Sequence, residues 1–223
     1  MRDQTPSLPN ISDRKDTHLD LAMSPLAQAG INNSMDRLRL THCAMPECDL
    51  DTVNIATQFL GYDLSAPLFI GAMTGGTKRA DNINAALAEA AQSQLVALAV
   101  GSQRAGLENG SSLRHLRALA PNIPIIGNLG GTQLAGDKGL DLAKAAVDDL
   151  QADALAIHLN PLQEAVQPEG DRDWRGIAAA IEQAVVELPV PIIVKEVGAG
   201  INASLAHRLF EMGVMGVDVA GLG

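Results

Sequence analysis

Residues 152–164, ADALAIHLNPLQE, hold a short apolar run that is followed at once by a polar cluster. An apolar run of this length between helical patterns is typical of a buried parallel strand. In parallel α/β folds, the residues just past the carboxyl ends of the strands line the ligand site. We therefore expect the cluster to form part of a functional site, although any one of its members alone is more often a solvated loop residue. The cluster consists of His158, Asn160, Gln163 and Glu164.

Similar apolar runs recur along the chain from residue 66 onward. Most are separated by segments whose apolar residues recur every three or four positions, which is the pattern of amphipathic helices. Strands and helices that alternate in this way indicate βαβ units and a parallel sheet. The predicted strands end near Ile70, Val100, Ile126, Ile157, Val194 and Val219.

The strand ends distinguish between two parallel folds, an open doubly wound sheet and a (β/α)8 barrel, the TIM barrel. A doubly wound sheet concentrates its ligand site at one switch point, whereas a barrel uses the ends of many strands. Polar or glycine-rich residues follow five consecutive strands: 73–76, 101–104, 127–130, the His158 cluster and 195–196. We therefore predict an α/β fold of the TIM-barrel type over residues 66–223, with about six of the eight βα units present.

Residues 1–65 lack this rhythm and are predicted to form an N-terminal extension. A helix capped by Ser12 or Asp13 is expected to begin at Arg14. Residues 37–62 alternate loosely, which predicts short strands. We expect this helix and these strands to cover one mouth of the barrel.

The composition argues against several classes of function. A net charge of −10 and an aromatic content of only 2% disfavour nucleic-acid binding, which needs basic and stacking side chains. No apolar run approaches the ~20 residues of a membrane span, and the N-terminus has no signal-like apolar segment. We therefore expect a cytoplasmic protein without a nucleic-acid or membrane partner. Its two cysteines, Cys43 and Cys48, are expected to be reduced thiols.

Two features near the start of the chain suit a phosphorylated ligand. Arg14, Lys15 and His18 form a basic cluster at the expected helix start, which favours phosphate or diphosphate, although a solvated helix start is the commoner explanation. The glycines of residues 72–76, AMTGG, permit close backbone approach to a ring or a phosphate.

Two charged residues at later strand ends extend this expectation. Lys195 follows a buried strand, where an unpaired charge is costly, so it either pairs with Glu196 or faces a ligand. Glu164 is the one carboxylate of the His158 cluster. A single carboxylate, together with substrate phosphate oxygens and water, is the usual way in which enzymes hold Mg²⁺.

Six motifs of this chain, taken in order, closely resemble those of the type 2 isopentenyl-diphosphate isomerases. They are R-K-x-x-H, A-M-T-G-G, G-S-Q-R, G-N-L-G, H-L-N-x-x-Q-E and V-K-E. H-L-N-x-x-Q-E is the most specific, whereas the glycine turns are shared with other FMN barrels. The resemblance implies a homo-oligomeric TIM barrel that interconverts isopentenyl and dimethylallyl diphosphate, with reduced FMN and Mg²⁺ bound and NAD(P)H as the reductant.

The resemblance also implies a role for each matching residue. Gln163 would face the isoprenoid carbons and act catalytically together with His158, and Glu164 would bind Mg²⁺. The substrate would contact Arg14, Lys15, His18, Ser102, Gln103, Arg104, Asn160 and Gln163. FMN would contact Ala72, Met73, Thr74, Ser102, Asn128 and Lys195.

The end of the chain is where it departs from this family. The family continues into two further strands whose loops bind the FMN phosphate, so we expect residues 1–223 alone to bind FMN weakly. We also expect apolar residues Leu205, Leu209 and Met212 to face water beside the gap. Two other interpretations stay open: an FMN barrel related to the α-hydroxy-acid oxidases, and an inactive truncated subunit that retains only an assembly surface.

Overall fold

The computed structural model describes Thr17, residues 19–27 and residues 34–221. The expected helix start at Arg14 therefore lies outside the described residues. The strands are β1 (Thr57–Phe59), β2 (Tyr62–Leu64), β3 (Phe69–Ile70), β4 (Ala97–Ala99), β5 (Ile125–Gly130), β6 (Ala154–Leu159), β7 (Ile192–Glu196) and β8 (Gly216–Asp218). The α-helices are α1 (Lys78–Gln94), α2 (Arg104–Asn109), α3 (Arg114–Leu119), α4 (Gly131–Leu134), α5 (Gly139–Leu150), α6 (Pro161–Val166), α7 (Ile177–Glu187) and α8 (Ala203–Glu211). Short 3₁₀ helices span Pro25–Ala27, Ser34–Arg37 and Leu50–Thr52.

Strands β3 to β8 form one parallel sheet in which each strand pairs with the next one along the chain. A doubly wound sheet would reverse this order at a switch point. The α/β prediction is thus confirmed in the form of a half-barrel of six parallel strands, whose edges within the described residues are β3 and β8. Strands β1 and β2 form a separate antiparallel hairpin. No helix of the described residues is long and apolar enough to cross a bilayer.

The two faces of the sheet are packed differently. The outer face carries large aliphatic side chains, such as Leu155, Ile157, Ile192 and Val194, which are fully buried in the core shared with the helices. Each such burial contributes about 1.5–3 kcal/mol. Because side chains alternate along a strand, the intervening residues face the inside of the half-barrel.

The inner face is lined by smaller residues and is partly covered by the β1–β2 hairpin. Ala99, Ala154 and Ala156 form a buried cluster there, and the hairpin residues Phe59 and Leu60 pack against it. Between β3 and β8 this face opens into a mostly apolar groove. The groove is lined by Phe59, Phe69, Ala99, Ile126, Ile193 and Met215, among others.

A polar network ties the hairpin to the amino ends of the strands. The Asp153 carboxylate accepts hydrogen bonds from the Tyr62 hydroxyl at 2.9 Å and from the Ile125 backbone N–H at 2.7 Å. It also pairs with the Arg117 guanidinium at 2.5 Å. One carboxylate thus joins β2, α3, β5 and the start of β6 at the end of the half-barrel away from the strand carboxyl ends.

Two short helices follow strand ends: α2 comes after β4, and α6 comes after β6 with Pro161 in its first turn. The apolar side of α8 does not face water, because Leu209 is buried and Leu205 and Met212 pack on the same core. The predicted exposed patch on α8 is therefore wrong.

Candidate functional site

One cavity lies at the carboxyl ends of the parallel strands and gathers most of the predicted site residues. The described segments after β3, β4, β5, β6 and β7 all contribute to its lining. Arg14, Lys15 and His18 lie outside the described residues. Of the predicted residues, the cavity is lined by Ala72, Met73, Thr74, Ser102, Arg104, Asn128, His158, Asn160, Gln163, Glu164 and Lys195.

The loop after β3 is held against the loop after β4 by backbone contacts. The Thr74 carbonyl accepts hydrogen bonds from the Gly101 N–H at 3.2 Å and from Asn84 Nδ2 of α1 at 3.1 Å. A Cβ on Gly101 would lie 2.4 Å from the Thr74 carbonyl carbon and oxygen. Glycine at 101 is therefore required for this approach, which fixes the Met73–Thr74 side of the cavity next to Ser102.

Gln103 is predicted to contact substrate, but its side chain does not line the cavity. It is buried, its Nε2 donates to the Ala146 carbonyl at 2.9 Å, and its Oε1 accepts from the Asn128 N–H at 3.0 Å. The structure therefore corrects this expectation: Gln103 supports the backbone of Asn128. Its neighbours Ser102 and Arg104 do line the cavity, and sequence adjacency alone does not separate the three.

Asn128 and His158 meet on the inner face of neighbouring strands. His158 Nδ1 lies 2.7 Å from Asn128 Oδ1. An amide oxygen can only accept a hydrogen bond, so Nδ1 carries the proton in this contact. Gly130 provides room for the ring, because a Cβ there would lie 3.1 Å from His158 Nε2.

Lys195 stands beside His158 in the strand register, and Asp218 of β8 stands beside Lys195. Its ammonium group donates to the backbone carbonyl of Glu196. Burial lowers the pKa of Lys195, and the nearby carboxylates of Asp218 and Glu196 offset only part of this effect. The partly desolvated ammonium is therefore well suited to an anionic ligand in the cavity.

Lys195 and Glu196 do not form a side-chain ion pair with each other, which was one of the two expectations for Lys195. The Glu196 carboxylate instead accepts three hydrogen bonds from the backbone N–H groups of Gly198, Ala199 and Gly200, at 2.6–2.9 Å. Burial would raise the pKa of Glu196, but these backbone donors outweigh it and the net shift is downward. Glu196 therefore shapes the loop after β7, while Lys195 faces the cavity.

The start of helix α6 and its N-cap residue Asn160 present polar side chains to the cavity. Asn160 Nδ2 donates to Gln163 Oε1 at 3.1 Å and to Glu164 Oε1 at 2.9 Å. Glu164 Oε2 accepts from the Asp171 N–H at 2.8 Å. Among the described residues no group of three or more His, Cys, Asp or Glu side chains is arranged to hold a metal ion.

Gln133 is a cavity residue that the sequence analysis missed. It lies in α4, directly after the G-N-L-G motif that ends β5. Its Nε2 donates to Asp171 Oδ2 at 2.9 Å and to Thr132 Oγ1 at 2.7 Å. Extending each glycine-rich motif by one helical turn would have included it.

The chain is similar in sequence to two named isomerases, although no family model matches it. It is 51% identical over 214 residues to isopentenyl-diphosphate delta-isomerase of Pseudescherichia vulneris, covering 94% of this chain and 62% of that protein. It is 50% identical, with the same coverage, to isopentenyl-diphosphate delta-isomerase of Xanthobacter autotrophicus. The chain thus spans less than two thirds of the length of these curated relatives.

Solved structures share the fold at much lower identity. A chimera of (S)-mandelate dehydrogenase aligns with a TM-score of 0.55 and 17% identity, over 77% of this chain and 56% of that one. A mandelate oxidase with a monooxide FMN adduct aligns with a TM-score of 0.52 and 17% identity, over 76% and 51%. The chain is therefore similar along most of its length to proteins named isopentenyl-diphosphate delta-isomerase, and it shares its fold with these two enzymes.

Proposed function

We propose that this chain forms most of the active site of an isopentenyl-diphosphate delta-isomerase of the FMN-dependent type. The reaction would interconvert isopentenyl and dimethylallyl diphosphate in isoprenoid biosynthesis, with reduced FMN and Mg²⁺ bound and NAD(P)H as the reductant. The carrying observation is that residues from five successive strand ends, matching the family motifs, line one cavity. About 50% identity to proteins named for this activity supports it.

The residues present fit a flavin. The backbone around Gly101 and Thr74 is tightly packed, which gives a planar ring a fixed wall to lie against. Lys195 is a partly desolvated cation that gains from a facing anion. We therefore propose Ala72, Met73, Thr74, Ser102, Asn128 and Lys195 as the FMN contacts. When bound, reduced FMN supplies an electron-rich ring that stabilises positive charge on the substrate and exchanges a proton with it.

The residues also fit a Mg²⁺–diphosphate unit. Glu164 is held by hydrogen bonds to both carboxylate oxygens, so its orientation is fixed before a ligand arrives. Mg²⁺ keeps an octahedral oxygen shell that one carboxylate, phosphate oxygens and waters can complete. Arg104 lines the same cavity and can contact phosphate oxygens. We propose that Arg14, Lys15 and His18 bind the diphosphate as well.

Two polar side chains are arranged to act near the reacting carbons. The Asn160 amide engages Gln163 Oε1, which turns the Gln163 NH₂ group away from Asn160. Because His158 Nδ1 donates to Asn128 Oδ1, the ring is oriented with Nε2 on its other side, where this atom can exchange a proton. In this proposal Gln163 orients the double bond of the substrate, and His158 Nε2 holds a proton close to that bond.

A product assay tests the proposal. Formation of dimethylallyl diphosphate from isopentenyl diphosphate is followed by ¹H NMR, with FMN, Mg²⁺ and NADPH and without oxygen. Gln163→Ala should lower kcat by about 100-fold while FMN affinity stays constant. Leu162→Ala is the matched control, since Leu162 is an exposed residue of the same helix. Flavin-dependent oxidation of an α-hydroxy acid, with no isomerisation, would favour the oxidase alternative instead.

We also propose that the protein is a cytoplasmic homo-oligomer without a nucleic-acid or membrane partner. Large apolar side chains in residues 34–56 support an assembly role, because Leu40, Met45 and Leu50 are 96%, 74% and 80% exposed. Sedimentation velocity measures the oligomeric state directly. A monomer at micromolar concentration would contradict this part of the proposal.

A further inference from the structure

Asp171 is the centre of a hydrogen-bond network beside the cavity. Its Oδ2 accepts from Thr132 Oγ1 at 2.8 Å and from Gln133 Nε2 at 2.9 Å, both in α4. Its own backbone N–H donates to Glu164 Oε2 of α6 at 2.8 Å. One residue therefore connects two cavity-lining side chains that come from different helices. Asp171 itself is not among the residues that line the cavity.

The backbone around Asp171 is fixed against α6. A Cβ on Gly170 would lie 1.9 Å from the Glu164 carbonyl oxygen, so only glycine allows this approach without displacement. The Trp174 indole N–H donates to the Asp171 carbonyl at 3.1 Å. Asp171 is thereby held in place from both sides along the chain.

The network also sets the direction of the Gln133 amide. Its Nε2 is engaged by Asp171 and Thr132, so its Oε1 points to the other side of the amide. There Oε1 lies 1.9 Å from the place that a Cβ on Gly130 would take, and His158 Nε2 lies 3.1 Å from the same place. The Gln133 oxygen and the His158 ring thus both lie next to Gly130.

We propose that Asp171 is a positioning residue that fixes Gln133 and Glu164 relative to each other at the cavity. The part of this inference that concerns Mg²⁺ rests on the proposed function, in which Glu164 binds Mg²⁺ together with a diphosphate. Residues that hold a metal ligand through a hydrogen bond, without touching the metal, typically change metal affinity by about 10- to 100-fold when they are removed. Asp171 holds Gln133 through its carboxylate and Glu164 through its backbone N–H, so loss of the carboxylate acts on Gln133 directly and on Glu164 only through a shift of the backbone at position 171.

Three variants test this role in the same loop. Asp171→Ala removes the acceptor of both α4 donors, whereas Asp171→Asn keeps one acceptor oxygen of the same size. Asp173→Ala is the matched control, because Asp173 is exposed and pairs with Arg175 at the surface. Thermal unfolding of all three reports whether each variant folds.

The first readout needs no ligand. The side-chain amide resonances of Gln133 in a ¹H–¹⁵N spectrum, identified by their loss in Gln133→Leu, should shift in Asp171→Ala. They should shift less in Asp171→Asn and stay in place in Asp173→Ala. Unchanged Gln133 resonances in a folded Asp171→Ala variant would overturn the proposal.

The second readout is the Mg²⁺ dependence of isopentenyl diphosphate turnover. Asp171→Ala keeps the N–H that donates to Glu164 but frees the backbone at 171 from α4, so it should raise the half-saturating Mg²⁺ concentration by only about tenfold, the lower end of such effects, with recovery in Asp171→Asn. An unchanged Mg²⁺ dependence in an active Asp171→Ala variant would overturn the claim that the Asp171 carboxylate acts on Glu164 through the backbone. If the wild-type chain does not turn over substrate, the proposed function fails, and the Gln133 resonances still decide the positioning role.

Discussion

His158 Nδ1 and Asn128 Oδ1 lie 2.7 Å apart on the neighbouring strands β6 and β5. A buried side chain holds Asn128 in place, because the Asn128 backbone N–H donates to Gln103 Oε1. Gln103 in turn donates to the Ala146 carbonyl of α5. A buried residue outside the cavity lining therefore holds the strand end that orients the histidine.

Removal of the Asn128 acceptor should release the His158 ring. In Asn128→Ala we expect the ring nitrogen to lose its fixed proton position and isomerase kcat to fall at least about tenfold. The ¹⁵N shifts of the His158 ring and steady-state kinetics measure the two effects. Asn122→Ala, in the exposed turn before β5, is the control. An unchanged ring spectrum in Asn128→Ala would mean that another group sets the proton position.

The sequence predicted the parallel sheet and most of the cavity for a simple reason. Apolar strand runs and the polar residues that follow them are local patterns, and parallel strands bring their carboxyl ends to one edge. His158, Asn128 and Lys195 were found in this way, since each sits on the inner face at a strand end.

Residues that act through long-range contacts were not predictable in this way. Gln103 is adjacent to two cavity residues, and only the packing against α5 shows that its side chain is used inside the fold. Asp171 and Asp153 look like ordinary surface acids in the sequence. Their roles depend on donors that lie 28 to 91 positions away in the sequence, such as Tyr62 for Asp153 and Gln133 for Asp171.

Gly101→Ala should disturb the cavity wall. The added Cβ would meet the Thr74 backbone at 2.4 Å, and backbone cannot move aside as a side-chain end can. We expect FMN affinity, measured by quenching of flavin fluorescence, to fall at least about tenfold, through overpacking that costs about 1–3 kcal/mol. Gly71→Ala is the control, because a Cβ there has no atom within 4 Å. Equal affinities in the two variants would contradict the tight approach of the two loops.

Lys195→Met should raise the stability of the fold at neutral pH and weaken FMN binding. Burial lowers the pKa of Lys195 in the folded chain below its usual 10.5. The charged form therefore destabilises the fold at neutral pH, and stability is regained as the pH rises from the lowered value towards 10.5. We expect the variant to be more stable than wild type at pH 7, by on the order of 1 kcal/mol, and to bind FMN more weakly. Urea unfolding at pH 7 and pH 9.5 should show the difference shrinking, and a constant difference would contradict the buried charge.

Metal binding at Glu164 should depend on a phosphate ligand. The described residues offer this carboxylate without a wider cluster of metal ligands, so Mg²⁺ alone should bind weakly. Addition of inorganic pyrophosphate should bring Mg²⁺ binding into the range of isothermal titration calorimetry, and Glu164→Gln should remove that gain. Glu169→Gln, in the same loop region, should leave it intact. Tight Mg²⁺ binding without pyrophosphate would contradict a substrate-assisted site.

Asp153 at the opposite end of the half-barrel should govern stability without affecting the cavity. Asp153→Ala removes the carboxylate that pairs with Arg117 and accepts from Tyr62 and the Ile125 N–H. We expect the free energy of unfolding to fall by about 2–4 kcal/mol, while FMN affinity under folding conditions stays as in wild type. A weakened FMN affinity in Asp153→Ala would show instead that the two ends of the half-barrel are coupled.

Burial and the Asp153 carboxylate also raise the pKa of Tyr62 above 10.0. The protonated phenol thus stabilises the fold fully below pH 10 and loses this effect as the pH rises through the raised value. Tyr62→Phe should therefore lose less stability than wild type as the pH rises above 10, which urea titrations at alkaline pH measure.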